Sequence, residues 1–205
     1  MFRKLNGWLS DPVKELAEAE RLARRGAALG KDDPGVLSTI ALVLASICRD
    51  LDQGAAMIER ALSLEPNGAR SLGIGGMIKV WLGEQEAGIE RLALAMRLSP
   101  FDPSTPAWRG AMALANFLLG RYAEAASWSA SGLQLTPDAQ YLLRFDAASN
   151  ALAGRMERAQ EAVARLRELN PTLRVSNLRE VFSPFRRAED LTKLEDGLRQ
   201  AGLPE

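Results

Sequence analysis

The chain has 205 residues, 47% of them hydrophobic, enough to bury a substantial core in one or two domains. Twenty-six Lys and Arg balance 26 Asp and Glu, which excludes a global field that would draw the protein to nucleic acid or anionic lipid. Histidine is absent and Cys48 is the lone cysteine, so histidine-based catalytic triads, imidazole-rich zinc centres and intrachain disulfides are excluded.

In chain order, residues 1–10 carry Arg3 and Lys4 but lack the apolar core of a signal peptide, which makes a cytoplasmic location the default. Asp11 and Pro12 form an N-cap and first-turn pair for a helix over 12–23. That helix has no partner before it unless residues 1–9 supply a fragment, so the array is expected to begin inside a repeat, as if cut from something longer. Residues 36–48 are nearly apolar, interrupted by Ser38, Thr39 and Ser46. They fall short of the about 20 residues needed to cross a bilayer and instead predict a buried helix over 35–48. Further helices are predicted over 52–64, 69–82, 85–98, 106–119, 122–135, 139–153 and 156–169. Nothing alternates with period two, so no strand is expected.

A repeat underlies these helices. Pro34, Pro66, Pro100, Pro137 and Pro171 are separated by 32, 34, 37 and 34 residues. Two residues before the last four stand Leu64, Leu98, Leu135 and Leu169. Seventeen before them stand Arg49, Gly83, Gly120 and Gly154, and twelve before them Gly54, Gly88, Ala125 and Ala159. A glycine fits the tight turn inside a helical hairpin, where φ is positive. The small residues suit a close crossing of the two helices, and proline opens the next unit because it cannot continue the preceding helix. Arg49 in place of glycine and the three extra residues around 102–105 are the departures. A period of about 34 residues is that of tetratricopeptide repeats. The fold class expected is therefore all-α, a right-handed superhelical solenoid of antiparallel helix pairs. Residues 1–171 would hold about four full repeats and a partial first. Residues 172–205 would form capping helices over 173–181 and 187–201, divided at Pro184, with Arg186, Arg187, Glu189, Asp190, Lys193, Glu195 and Asp196 giving the cap a polar outer face.

Four segments carry a closer resemblance: EAERLARRGA at 18–27, MRLSPFDP at 96–103, GRYAEA at 120–125 and PFRRAEDLTKLEDGLRQAGLP at 184–204. Together they resemble the C-terminal repeat region of bacterial class III adenylate/guanylate cyclases of the rhizobial type, over nearly the whole chain. In such proteins the cyclase domain precedes the repeats and uses paired metal-binding aspartates on an αβ fold. The resemblance implies a regulatory or interaction module without cyclase activity of its own, and no catalytic residue carries over. Similar repeat tails also follow winged-helix regulator domains.

The first helix of each hairpin usually lines the concave groove. Counting from residues 35, 69, 106 and 140, the second position holds Val36, Arg70, Ala107 and Tyr141, and the fifth Thr39, Gly73, Gly110 and Arg144. The ninth holds Val43, Met77, Leu114 and Ala148. The carboxylate clamp of chaperone-binding repeats wants lysine at the fifth and asparagine at the ninth, and this chain has neither. Arg70 and Arg144 are candidates to pair with a peptide carboxylate or phosphate, or are ordinary solvated or interhelix arginines. Asn116 and Asn150 share the eleventh position and would either hold a peptide backbone or bond between helices. Met77, at the ninth position, and Trp81, Phe117 and Tyr141 are candidates for an apolar groove floor, or core; Trp108 and Trp128 carry the same choice. Asp50 and Asp52 read as N-capping residues with no further metal ligands in view. Arg24 with Arg25 and Arg186 with Arg187 fall below a nucleic-acid footprint, and Cys48 reads as a small core residue. No catalytic, metal or cofactor site is assigned. The partner expected is a protein or peptide, not nucleic acid or membrane, with self-association through exposed repeat ends as the alternative.

Overall fold

A computed structural model describes residues 10–30, 32–182 and 184–205. Over these residues the chain forms α1 (Pro12–Leu29), α2 (Pro34–Ser46), α3 (Leu51–Leu64), α4 (Ala69–Trp81), α5 (Gln85–Leu98) and α6 (Thr105–Leu118). It continues with α7 (Tyr122–Leu133), α8 (Gln140–Leu152), α9 (Met156–Leu169), a 3-10 turn (Val175–Asn177), α10 (Leu178–Val181) and α11 (Ala188–Gln200). No strand occurs among the described residues.

Local chemistry starts and stops these helices. The carboxylates of Asp11, Asp33 and Asp50 accept from the backbone N–H of Lys14, Val36 and Gln53 at 3.1, 2.9 and 2.9 Å, satisfying one orphan donor at each helix start. Inside each hairpin the turn residue is left-handed: Arg49 at φ 59°, Gly83 at 86°, Gly120 at 78° and Gly154 at 77°. The arginine therefore adopts the glycine conformation, at a cost on the order of 1 kcal/mol for a residue with a Cβ. The small residues do sit at the crossings. A Cβ on Gly54 would lie 2.7 Å from the Ala45 Cβ, and one on Gly88 2.6 Å from Val80 Cγ2 and 2.9 Å from the Gly76 carbonyl.

Four hairpins result among the described residues, α2–α3, α4–α5, α6–α7 and α8–α9, with α1 packed on α2. The helices α2, α4, α6 and α8 pack against one another in succession and form the inner layer, while α3, α5, α7 and α9 form the outer one. The inner helices are accordingly apolar nearly all round, with α4 buried from Ser71 to Ile78, whereas the outer helices bury one stripe each.

Three boundaries depart from expectation. Helix α1 runs to Leu29, beyond 23, where Glu18–Arg21 and Glu20–Arg24 pairs bridge its turns and the helix packs on α2. Cys48 lies in the turn after α2, half-buried, where burial and the Glu20 carboxylate push its thiol pKa up. The largest departure is at the C-terminus. In place of one helix over 173–181 there is a 3-10 turn and the single turn of α10, and α11 packs along α8 with Gly197 seated on Ala148. Leu191, Leu194, Leu198, Ala201 and Leu203 are buried there, and the Val175 N–H closes the end by donating to the Pro204 carbonyl at 2.8 Å.

Between α10 and α11 the chain does more than cap the last hairpin. Arg49, in the turn of the first hairpin, donates from Nη2 to the carbonyls of Arg179 and Phe182 at 2.9 and 3.2 Å. The Arg186 N–H donates to the Trp81 carbonyl at 2.9 Å, and its guanidinium pairs with Asp52. Just beyond the segment, in the first half of α11, Lys193 Nζ donates to the Leu118 carbonyl at 3.3 Å. The segment is thus a strap that crosses the array from the fourth hairpin to the first and returns.

Candidate functional site

The inner layer is built on a ladder of contacts. At the fifth position of each inner helix rests a side chain from the next unit. Thr39 accepts from Arg70 Nη2 at 3.3 Å. Gly73 faces the Trp108 indole, since a Cβ there would lie 2.2 Å from Nε1, and Gly110 faces Tyr141, at 2.8 Å from its Cε2. Glycine is required at both because an aromatic ring occupies the space of a side chain. At the last rung Arg144 lies under the Phe182 ring, with the guanidinium carbon 5.2 Å from the centroid. The strap therefore supplies the residue that a following repeat would have supplied.

Two adjoining regions make up the inner face. Toward the hairpin turns, Met77, Trp81, Gly110, Leu114, Tyr141 and Phe145 form an apolar trough into which Phe182 and Phe185 insert, leaving a residual cavity of about 40 Å³. Phe182 stacks on Phe145, centroids 6.0 Å apart and planes 18° apart, and Phe185 tilts against Phe182 at 6.3 Å. Toward the other ends of the inner helices lies an open recess of about 240 Å³, with Leu42, Ile74, Met77, Trp108 and Tyr141 in its wall and Arg70 at its side. Met77, Ala107 and Tyr141 line both regions, so the two are continuous.

The candidate residues fall into three places. Arg70, Met77 and Tyr141 line the open recess, and Arg70 is the exposed cation of the set. Trp81 lies in the trough beneath the strap, and Arg144 is fully buried there, where burial pulls its pKa down to about 9, so that it stays protonated at neutral pH. Asn116, Phe117 and Asn150 are not on the inner recess. The Asn116 and Asn150 amides donate to the carbonyls of Met112 and Asp146 at 2.8 and 3.0 Å, four residues back on their own helices. Phe117 is fully buried against Tyr122, with centroids 5.4 Å apart. The helical count put these three on the inner helices but did not resolve which face they occupy. Phe182 and Phe185 on the inner face, and Arg49 in the turn that ties their segment down, are the residues that the repeat pattern missed. The one signal for them was Arg49 itself, an arginine at a glycine mark.

On the outer side, a polar cleft of about 840 Å³ lies between α7, α8 and α9, with Asp146, Asn150, Arg155, Arg158 and Arg165 in its wall. Arg155 Nε donates to Asn150 Oδ1 at 2.7 Å. Burial pushes the Asp146 carboxyl up to about 6, against the opposing pull of Asn150, Arg158 and Arg155. Asp50 caps α3 and Asp52 pairs with Arg186, so neither is placed to hold a metal with the other. Among the described residues no group of three or more Cys, Asp or Glu could hold a metal ion, and no helix is long and apolar enough to cross a membrane.

Neither a protein-family model nor a curated protein matches the chain. Solved structures do. PilW, a widely conserved type IV pilus biogenesis factor, is similar with a TM-score of 0.69 at 14% identity, over 92% of this chain and 82% of that one. YrrB, a TPR protein with an unusual peptide-binding site, gives 0.57 at 15% identity over 87% and 90%, and MamA of AMB-1 gives 0.55 at 19% over 82% and 96%. At these identities the likeness is one of fold, and the fold is that of tetratricopeptide repeats.

Proposed function

We propose that the chain is a non-catalytic protein-interaction module that takes an extended peptide into the open half of its inner face. One observation carries this reading: an apolar recess walled by Ile74, Met77, Trp108 and Tyr141 remains open beside one exposed guanidinium, that of Arg70. Apolar walls anchor a side chain, and the forked cation beside them selects a carboxylate. The peptide-binding site of YrrB, on a similar fold, supports it. The four segments that resemble rhizobial-type cyclase repeats support a place as the regulatory or scaffolding tail of a larger cytoplasmic signalling protein, such as a nucleotide cyclase.

Selection of peptides from a random display library against the full chain, followed by fluorescence anisotropy, tests the site. Arg70→Ala is expected to weaken the selected peptides about tenfold by removing a charge-assisted bond, while Arg165→Ala on the outer face leaves them unchanged. Failure to select any peptide, or selected peptides indifferent to Arg70, contradicts the proposal.

A second reading, self-association, is favoured by a different surface. Val13, Leu22 and Leu29 on α1 are 81%, 52% and 77% exposed, and Leu22 lines an apolar cleft with Val36 and Ile40 of α2. Light scattering over a concentration series would show a second copy docking there, and a constant monomer mass would rule it out.

A further inference from the structure

The strap occupies the inner face as a ligand would. Phe182 and residues 184–187 have no helical structure, and they hold the trough by two aromatic side chains, a backbone bond and a distant arginine. Phe182 and Phe185, three residues apart, fill the trough between Met77, Trp81, Tyr141 and Phe145. The Arg186 N–H bonds the Trp81 carbonyl, and Arg49 clamps the Phe182 carbonyl. Side-chain anchors at fixed spacing with main-chain bonds between them are how a groove reads an extended peptide.

The segment is also built to separate from its surroundings. Helix α11 is held independently, through buried Leu191, Leu194 and Leu198, so the strap can lift without losing the helix. Its polar ties are few and mostly exposed. The Arg186–Asp52 pair has side chains 46% and 82% exposed and contributes little. The Arg49 bonds require that residue to hold a left-handed backbone, which the equivalent glycines adopt without cost. Lifting the strap bares Trp81, Phe145 and Leu114, an apolar surface that water does not favour and a partner would cover.

We infer that the strap is an internal ligand: the trough is a second peptide site, specific for an extended segment with two aromatic residues three apart, and a partner of that chemistry exchanges with Phe182 and Phe185 of the strap. This rests on the proposed interaction role and places within it a site that the chain itself keeps closed. An intramolecular occupant acts at an effective concentration in the millimolar range. Exchange therefore favours partners held nearby at high local concentration, and the closed trough rejects chance contacts.

The test uses the full chain and a labelled synthetic peptide of residues 178–190, LREVFSPFRRAED. Phe185→Ala in the chain weakens the internal ligand while leaving the trough and the Arg49 clamp in place, and Phe185 is only half-buried. This variant is expected to bind the peptide about tenfold more tightly than the unaltered chain, because the entering peptide keeps the anchor that the strap has lost. Phe182→Ala with Phe185→Ala in the chain is expected to increase binding further, and the same two changes in the peptide to abolish it. If Phe185→Ala is folded by circular dichroism and binds the peptide no better than the unaltered chain, the inference is overturned. Light scattering of the unaltered chain checks for a second copy's strap entering the trough; a dimer that forms at high concentration and is competed away by the peptide supports the same site. Library peptides that bind at Arg70 while this peptide binds neither chain would sink the strap inference and leave the interaction role standing.

Discussion

At the scale of single residues, the inner face is a series of substitutions for one another. Thr39 holds Arg70, Gly73 holds Trp108, Gly110 holds Tyr141 and Arg144 holds Phe182. What changes along the ladder is the size of the lower residue, which shrinks to glycine beneath Trp108 and Tyr141 and is a full arginine beneath the Phe182 ring. Burial has a different result at Asp146, whose carboxyl is raised from an ordinary 3.8 to about 6. Between about pH 4 and pH 6 the unfolded chain releases a proton that the folded chain retains, so this group lowers stability as pH rises through that window, and by a constant amount above it. Asp146→Asn is expected to stabilise the protein by about 2 kcal/mol at pH 8 and to leave it unchanged at pH 3.5. Urea denaturation at the two pH values checks this, and an equal shift at both would show that the carboxyl is not desolvated as described.

At the scale of elements, the hairpin turn is the unit that the chain repeats, and the strap is what distinguishes its copies. Gly120 and Gly154 have positive φ with nothing within 4 Å of an added Cβ, whereas a Cβ on Gly83 would come within 2.5 Å of Arg187 Nε. Gly120→Ala and Gly83→Ala are each expected to cost about 1 kcal/mol in urea unfolding. Only Gly83→Ala should also shift the Arg187 Nε–H signal in NMR, because the exposed Arg187 side chain must swing off the turn to make room. An unmoved Arg187 signal in that variant would mean that the side chain does not rest on that turn. The hairpins were legible in the sequence because their marks are local: the Asp33–Pro34 cap, the turn glycines and the small crossing residues act within one or two helices. The strap was not, because Arg49 and Phe182 are 133 residues apart and no periodicity connects them. Asn116 and Asn150 were misplaced on the face for a third reason. An asparagine in a helix can bond its own turn, and that choice depends on packing that the sequence pattern does not contain.

At the scale of the whole molecule, a solenoid whose repeats touch only their neighbours would fray from its ends. The strap alters that arrangement by tying Arg49 and Asp52 of the first hairpin to residues beyond the fourth. It divides the inner face into a trough that the chain fills and a recess that it leaves open, and the open recess is where a peptide is proposed to bind. The chain's methionines report on this division directly. Met77 lines the inner recess, while Met57, Met96 and Met156 lie on the outer helices α3, α5 and α9. Methionine-methyl NMR of the full chain, titrated with a library-selected peptide, is the most direct measurement. Binding in the inner recess should shift the Met77 methyl and leave those of Met57, Met96 and Met156 in place. A bound peptide that moves an outer methionine and leaves Met77 unchanged would contradict the inner face as the binding surface.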